Sequence, residues 1–216
     1  MTINKQELLQ ILSVERLGPY LLAAKDDFDF ALALYEHNQA LSEALYIPLQ
    51  NLEVGLRNRL HVMLTHHFGR AWFDTGVIRK PAQVRAIQEA KDKLKRAGKP
   101  ADPGRIVAEL NFGFWTGFFD TCYDQPLWHR HLRAVFIGAP RGQALTRKLF
   151  SGRLEAIRRL RNRVFHHEPI LRIRQLAQTH ADLQFLLGLL GPDLQGWNAR
   201  HDRFPTVVAM GVVPRG

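Results

Sequence analysis

Apolar residues recur along the chain at intervals of three and four, and no stretch shows the strict alternation that a half-buried strand needs. The pattern predicts an all-α protein, folded as one domain over residues 1–216. One helix is expected from the Asp26-Asp27-Phe28-Asp29 cluster to about residue 45, because carboxylates suit a helix N-terminus. Capping is a simpler use of these acids than metal binding. Pro48 then opens a second helix, with Leu49, Leu52, Leu56, Leu60, Met63 and Leu64 at core spacing and Gly69 as its stop. Pro81 opens a third, through about residue 99, whose Lys91, Lys93, Lys95 and Arg96 read as a solvated basic side. In the loop that follows, Asp102 is placed to cap a helix that has Pro103 at its first position. The stretch Leu110-Asn111-Phe112-Gly113-Phe114-Trp115-Thr116-Gly117-Phe118-Phe119 reads as close helix packing in a core rather than a base-stacking platform. Helices over about 141–167 and 171–190, and a last one begun by Gly191-Pro192-Asp193, complete the chain.

Composition adds exclusions. With 46% hydrophobic and 23% charged residues the chain reads as soluble and globular. Its one cysteine, Cys122, rules out a disulfide framework or a Cys-rich zinc site, and is read as a structural thiol. The longest apolar run, residues 185–190, is interrupted by Gly188 and is too short to span a bilayer. The first residues, Met1-Thr2-Ile3-Asn4-Lys5-Gln6-Glu7, lack the basic and apolar regions of a secretory signal, so a cytoplasmic protein is expected, with no membrane partner.

Charge is the first positive clue. The formal net charge is +10, which favours a polyanionic partner. Residues 1–50 are net acidic, with three bases and seven acids, whereas residues 147–174 hold nine bases and two acids. Arginine dominates the basic segment, and guanidinium groups favour bidentate phosphate contact.

Within that segment, at about 100° per residue, Phe150, Leu154, Ile157, Leu160, Val164 and Phe165 form one apolar arc. Glu155, Arg158, Arg159, Asn162, Arg163 and His166 lie outside it. Arg161 falls inside the arc, where a charge is costly unless it is paired, faces a polar cavity or interface, or snorkels at a core edge. Asn162 and His166 are four apart, so the amide can reach the imidazole and fix its tautomer. Pro169 disfavours helical geometry at Glu168 and so places His166 and His167 in the final turn. Backbone freedom there can bring His166 towards Arg161.

Arg161-Asn162-Arg163-Val164-Phe165-His166 resembles the arginine, polar residue, three variable residues, histidine motif of HEPN-domain ribonucleases. Its extension through His167-Glu168-Pro169-Ile170 resembles the Abi-like, or abortive-infection, branch. Leu52-Glu53 with Leu56-Arg57-Asn58, Asn111-Phe112-Gly113-Phe114-Trp115, and Asp193-Leu194 with Trp197, His201 and Arg203-Phe204 are similar to other landmarks of that branch. A loose arginine-to-histidine spacing carries little in a chain with 10 histidines: Arg59 to His66 and Arg174 to His180 also satisfy it. Requiring Asn directly after Arg, with His four residues beyond, leaves only Arg161-Asn162-His166, against a chance expectation on the order of a few hundredths. The echo at Arg57-Asn58 reaches His61 one residue early and reads as scaffold.

The resemblance implies a HEPN-like helical bundle with additional helices and a homodimer with its active site between two HEPN units. It implies an endoribonuclease that needs no metal or cofactor, in abortive infection, antiphage defence or a toxin-like role. In that reading His166 handles the 2′-hydroxyl proton, Arg161 stabilises the phosphorane and Asn162 orients the histidine, with Arg158 and His167 as accessory residues. Arg158, Arg159 and Arg163 are the expected RNA-binding residues. His167 leaves the register open, since a gap of five suits the looser family pattern. A different class stays in play, an Abi-like helical protein that binds a structured RNA without cleaving it. His66-His67, and His129 with His131, have metal-compatible spacing but no cysteine or dense carboxylate set beside them, and Asp120 and Asp124 read as loop caps.

Overall fold

The computed structural model describes residues 4–212; Met1, Thr2 and Ile3 of the leading sequence lie outside the described residues, as do positions 213–216. The described residues form helices and no strand. In chain order these are α1 Lys5–Leu12, α2 Val14–Ala23, α3 Phe28–Phe68, α4 Pro81–Arg96, α5 Pro103–Glu109, α6 Phe112–Thr116, α7 His129–Val135, α8 Arg147–Phe165, α9 Leu176–Leu190, α10 Pro192–Ala199 and α11 Phe204–Met210. Among the described residues no helix is long and apolar enough to cross a membrane.

The two helices expected on either side of Pro48 are one, α3, with 41 residues and a length of about 60 Å. Asp27 caps it through the Phe30 amide, and Gly69, at φ 84, ends it. Pro48 has no N–H for the turn below, a defect of about 3 kcal/mol in a helix interior. The helix continues because one buried stripe, including Leu41, Leu45, Leu49, Leu52, Leu56 and Leu60, runs unbroken past the proline. Breaking the helix there would uncover far more apolar surface than the lost hydrogen bond is worth. Around it pack α2 and then α6 to α11, so α3 is the axis of the molecule.

Other boundaries also move. Thr146 caps α8 through the Leu149 amide, and Gly142, at φ 83, holds the preceding turn, so the helix starts six residues later than periodicity suggests. The start of α9 is delayed because Ile170 N and Leu171 N both donate to Asn38 Oδ1 on α3, at 2.7 and 3.3 Å, which leaves that stretch as turns. α1, α2, α7 and α11 were not foreseen. The aromatic stretch is core as expected: Phe112, Phe114, Trp115, Phe118 and Phe119 are buried. Gly138 donates its N–H to Leu189 O at 2.9 Å, an approach so close that a Cβ would lie 2.1 Å from Gly188 O.

Candidate functional site

α8 carries the motif because its buried residues, Phe150, Leu154, Ile157, Leu160 and Val164, fall on one face at spacings of four and three. Its end is a well-formed C-terminal cap. Glu168 N donates to Arg163 O at 2.8 Å and His167 N to Val164 O at 3.2 Å, the paired bonds of a Schellman motif. Glycine usually occupies the left-handed position of that motif, yet here His167 holds it at φ 56. Arg16 donates to the His167 carbonyl, and Asn38 holds the chain two residues beyond Glu168, so the cap is tied to both α2 and α3.

Arg161 resolves its place in the apolar arc by pairing. Its Nε donates to Glu53 Oε2 at 3.1 Å, with the side chains 24% and 19% exposed. Its guanidinium also lies 4.3 Å from the centre of the Phe165 ring, and Phe165 stacks on Tyr46 at 5.3 Å. Such a pair is half-desolvated, so removing either partner strands a charge.

Asn162 and His166 are joined by backbone alone, His166 N donating to Asn162 O at 2.9 Å. Among the described residues no hydrogen bond links the amide to the imidazole, or His166 to Arg161. His166 is the C-cap of α8, with φ −96 and ψ 9. Both histidines are exposed at the helix end.

The expected RNA-binding arginines divide between two faces. Arg158 is bidentate to Glu155, at 3.0 and 2.8 Å, beside Lys80, Gly113 and Thr116. That hydrogen bond holds the Glu155 carboxyl below the usual range and raises Arg158 in turn. Arg159 and Arg163 instead line a groove of about 320 Å³ with Arg172, Gln175 and Thr179. Their carboxylate partners are exposed, Glu155 at 3.4 Å and Glu168 at 3.8 Å, and pairs of that kind hold weakly enough to yield to a phosphate. Arg172 was missed as a groove residue because a turn position has no periodicity to betray its facing.

A larger cleft, about 450 Å³, opens where α3 meets the end of α8 and the turn before α11. Tyr35, Ser42, Tyr46, His167, His201 and Arg203 are among the residues that line it. A part-buried polar chain holds that turn in place. Asn51 donates to Asn198 at 2.9 Å, Asn198 to Gln184 at 3.1 Å, and Gln184 to Asp202 at 2.7 Å. His180 meets the same Asp202 oxygen at 2.7 Å and stacks on Phe204, with ring centres 4.4 Å apart.

The remaining candidates resolve as follows. His61 Nδ1 accepts the indole N–H of fully buried Trp72 at 3.1 Å, a scaffold role for the Arg57-Asn58 echo. His66, His67 and His131 gather at the end of α3, His67 and His131 with ring centres 3.8 Å apart. Among the described residues no group of three or more His, Cys, Asp or Glu is placed to hold a metal. Asp120 caps the turn at Cys122 and pairs with Lys80 at 2.8 Å, which brings its carboxyl down to about 2, whereas Asp124 serves as the partner of Arg147 at 2.7 Å. Cys122 is exposed rather than packed, so the structural-thiol reading is corrected; partial desolvation, with Asp120 next to it, pushes the thiol up. The chain matches no protein-family model, no curated protein and no solved structure.

Proposed function

We propose that the protein is a HEPN-like endoribonuclease that cleaves RNA without a metal, as a homodimer, in abortive infection, antiphage defence or a toxin-like role. The observation that carries this reading is the presentation of the motif. Arg161 is held at the edge of α8 by Glu53 and Phe165, and two exposed histidines follow at a rigid helix end. The substrate supplies its own nucleophile. The 2′-oxygen attacks phosphorus as His166 takes its proton, the 5′-oxygen leaves with a proton from a second imidazole, and the products are a 2′,3′-cyclic phosphate and a 5′-hydroxyl. Glu53 engages Nε of Arg161, which leaves the terminal nitrogens to spread the charge of the phosphorane.

Arg161 and His166 do not meet within one protomer, which favours a site completed by a second copy. The groove of Arg159, Arg163 and Arg172 favours a second reading, an RNA-binding protein without cleavage, because phosphate contact needs no catalytic group.

Purified protein incubated with EDTA and a mixed RNA pool separates the two. Fragments ending in cyclic phosphate are expected from the wild type and none from His166→Ala, which should keep RNA affinity within a few-fold. Arg161→Ala should lose cleavage and some stability. No such fragments from any RNA, copurified RNA included, would leave the binding reading as the better one.

A further inference from the structure

We propose that the cleft between α3, the end of α8 and the 201–203 turn receives one unpaired nucleobase of an RNA strand, a subsite beside the motif. This rests on RNA as the ligand but not on its cleavage. At about 450 Å³ the cleft falls in the size range of small-ligand sites. Its walls combine the two kinds of side chain that a splayed-out base uses, aromatic and hydrogen-bonding.

Tyr46 supplies the first. It is 48% exposed, and Phe165 backs it at 5.3 Å with the rings 22° apart, so the ring is held ready for stacking without further ordering. The Asn38 amide and Ser42 supply the second, as lining residues of the same wall; Ser42 Oγ is buried there without a hydrogen-bond partner among the described residues and can serve a ligand only once its side chain turns into the cleft. Asn38 Oδ1 is already taken by two backbone N–H groups, so the Asn38 amide can only donate to a ligand.

Charge and backbone fit a nucleotide as well. Arg203 stands in the lining with only an exposed partner, Glu43 at 2.7 Å, and so can turn to a phosphate flanking the base. His167 reaches the cleft from a left-handed backbone position where glycine would sit without strain, and strain retained at a cleft points to use of the side chain. The Tyr46–Phe165–Arg161 stack links this cleft directly to the motif arginine.

The test uses 2′-O-methyl oligonucleotides, which lack the nucleophile and so report binding whether or not the protein cleaves. A single-stranded oligomer with 2-aminopurine at successive positions should show fluorescence quenching at one position, and Tyr46→Ala should abolish it and weaken binding about ten-fold. Tyr46→Phe should restore both, which separates stacking from a folding defect. An abasic residue at the quenched position should make Tyr46→Ala silent, as a double-mutant cycle requires. Three results would each overturn the proposal: no quenching at any position, equal losses for intact and abasic strands, or quenching of free 2-aminopurine ribonucleotide as strong as that of the strand. The last would assign the cleft to a free nucleotide. Absence of cyclic phosphate products, by contrast, bears only on catalysis.

Discussion

His167 occupies a position that favours glycine and yet carries an imidazole. A left-handed conformation costs an L-residue about 1–2 kcal/mol, while glycine loses about 1 kcal/mol through the entropy of its unfolded chain. His167→Gly is therefore expected to leave stability unchanged or raise it by up to about 1 kcal/mol, while reducing RNA affinity or cleavage. Denaturant unfolding beside an RNA-binding titration checks both halves, and a clear destabilisation would make the imidazole a packing element. At this scale the sequence was informative where chemistry is local. Asn162 and His166 fall on one helical row by spacing, whereas the roles given to Arg161, Asn162 and His166 come from the family resemblance; Asp102 caps α5 as read. It was silent where partners are remote: Glu53, which neutralises Arg161, lies 108 residues away.

Reading α3 as two helices hid a stripe that includes the partner of Arg161 and part of the cleft lining. Glu43, Tyr46, Gln50 and Glu53 recur at three and four residues along one face, but a break at Pro48 assigns them to separate elements. The proline rule failed because it describes an isolated helix, whereas α3 is enclosed by its neighbours. The end of α3 also carries a pH-sensitive contact. Trp72 can only donate, so His61 must keep Nδ1 unprotonated, and desolvation, then the charge of Arg57, holds this imidazole below its ordinary value. Its folded value is lowered, so its contribution is present above the unfolded value of about 6.5 and is lost as pH falls through the folded one. His131 and His37, both lowered by desolvation, act in the same direction. Unfolding free energy is thus expected to fall as pH drops below about 6.5, and NMR titration should find His61 titrating below its ordinary value, with its neutral form the Nε2–H tautomer. A His61 that titrates at or above the ordinary value would sink this account.

Across the whole molecule the charge is uneven, and nine of the bases fall within residues 147–174. RNA affinity is expected to drop steeply with salt through counterion release, and a flat response between low and physiological salt would remove the basic surface from the argument. Light scattering should find a dimer at micromolar concentration; cleavage by a strict monomer would exclude the composite site. The all-α class was legible from periodicity, but not the way α3 becomes the axis, because that depends on contacts far apart in sequence. Asn38 meets Ile170 across 132 residues and Glu43 meets Arg203 across 160. Such an axis has a consequence for synthesis. α3 leaves the ribosome about 120 residues ahead of the end of α9, a delay of roughly 6–25 s at bacterial-like elongation rates of about 5–20 residues per second. Throughout that interval its leucine stripe lacks the cover that α9 gives it. Glu53 is made 108 residues before Arg161 and Glu43 160 residues before Arg203, so the motif's ion pair waits for α8 and the cleft waits for the 201–203 turn.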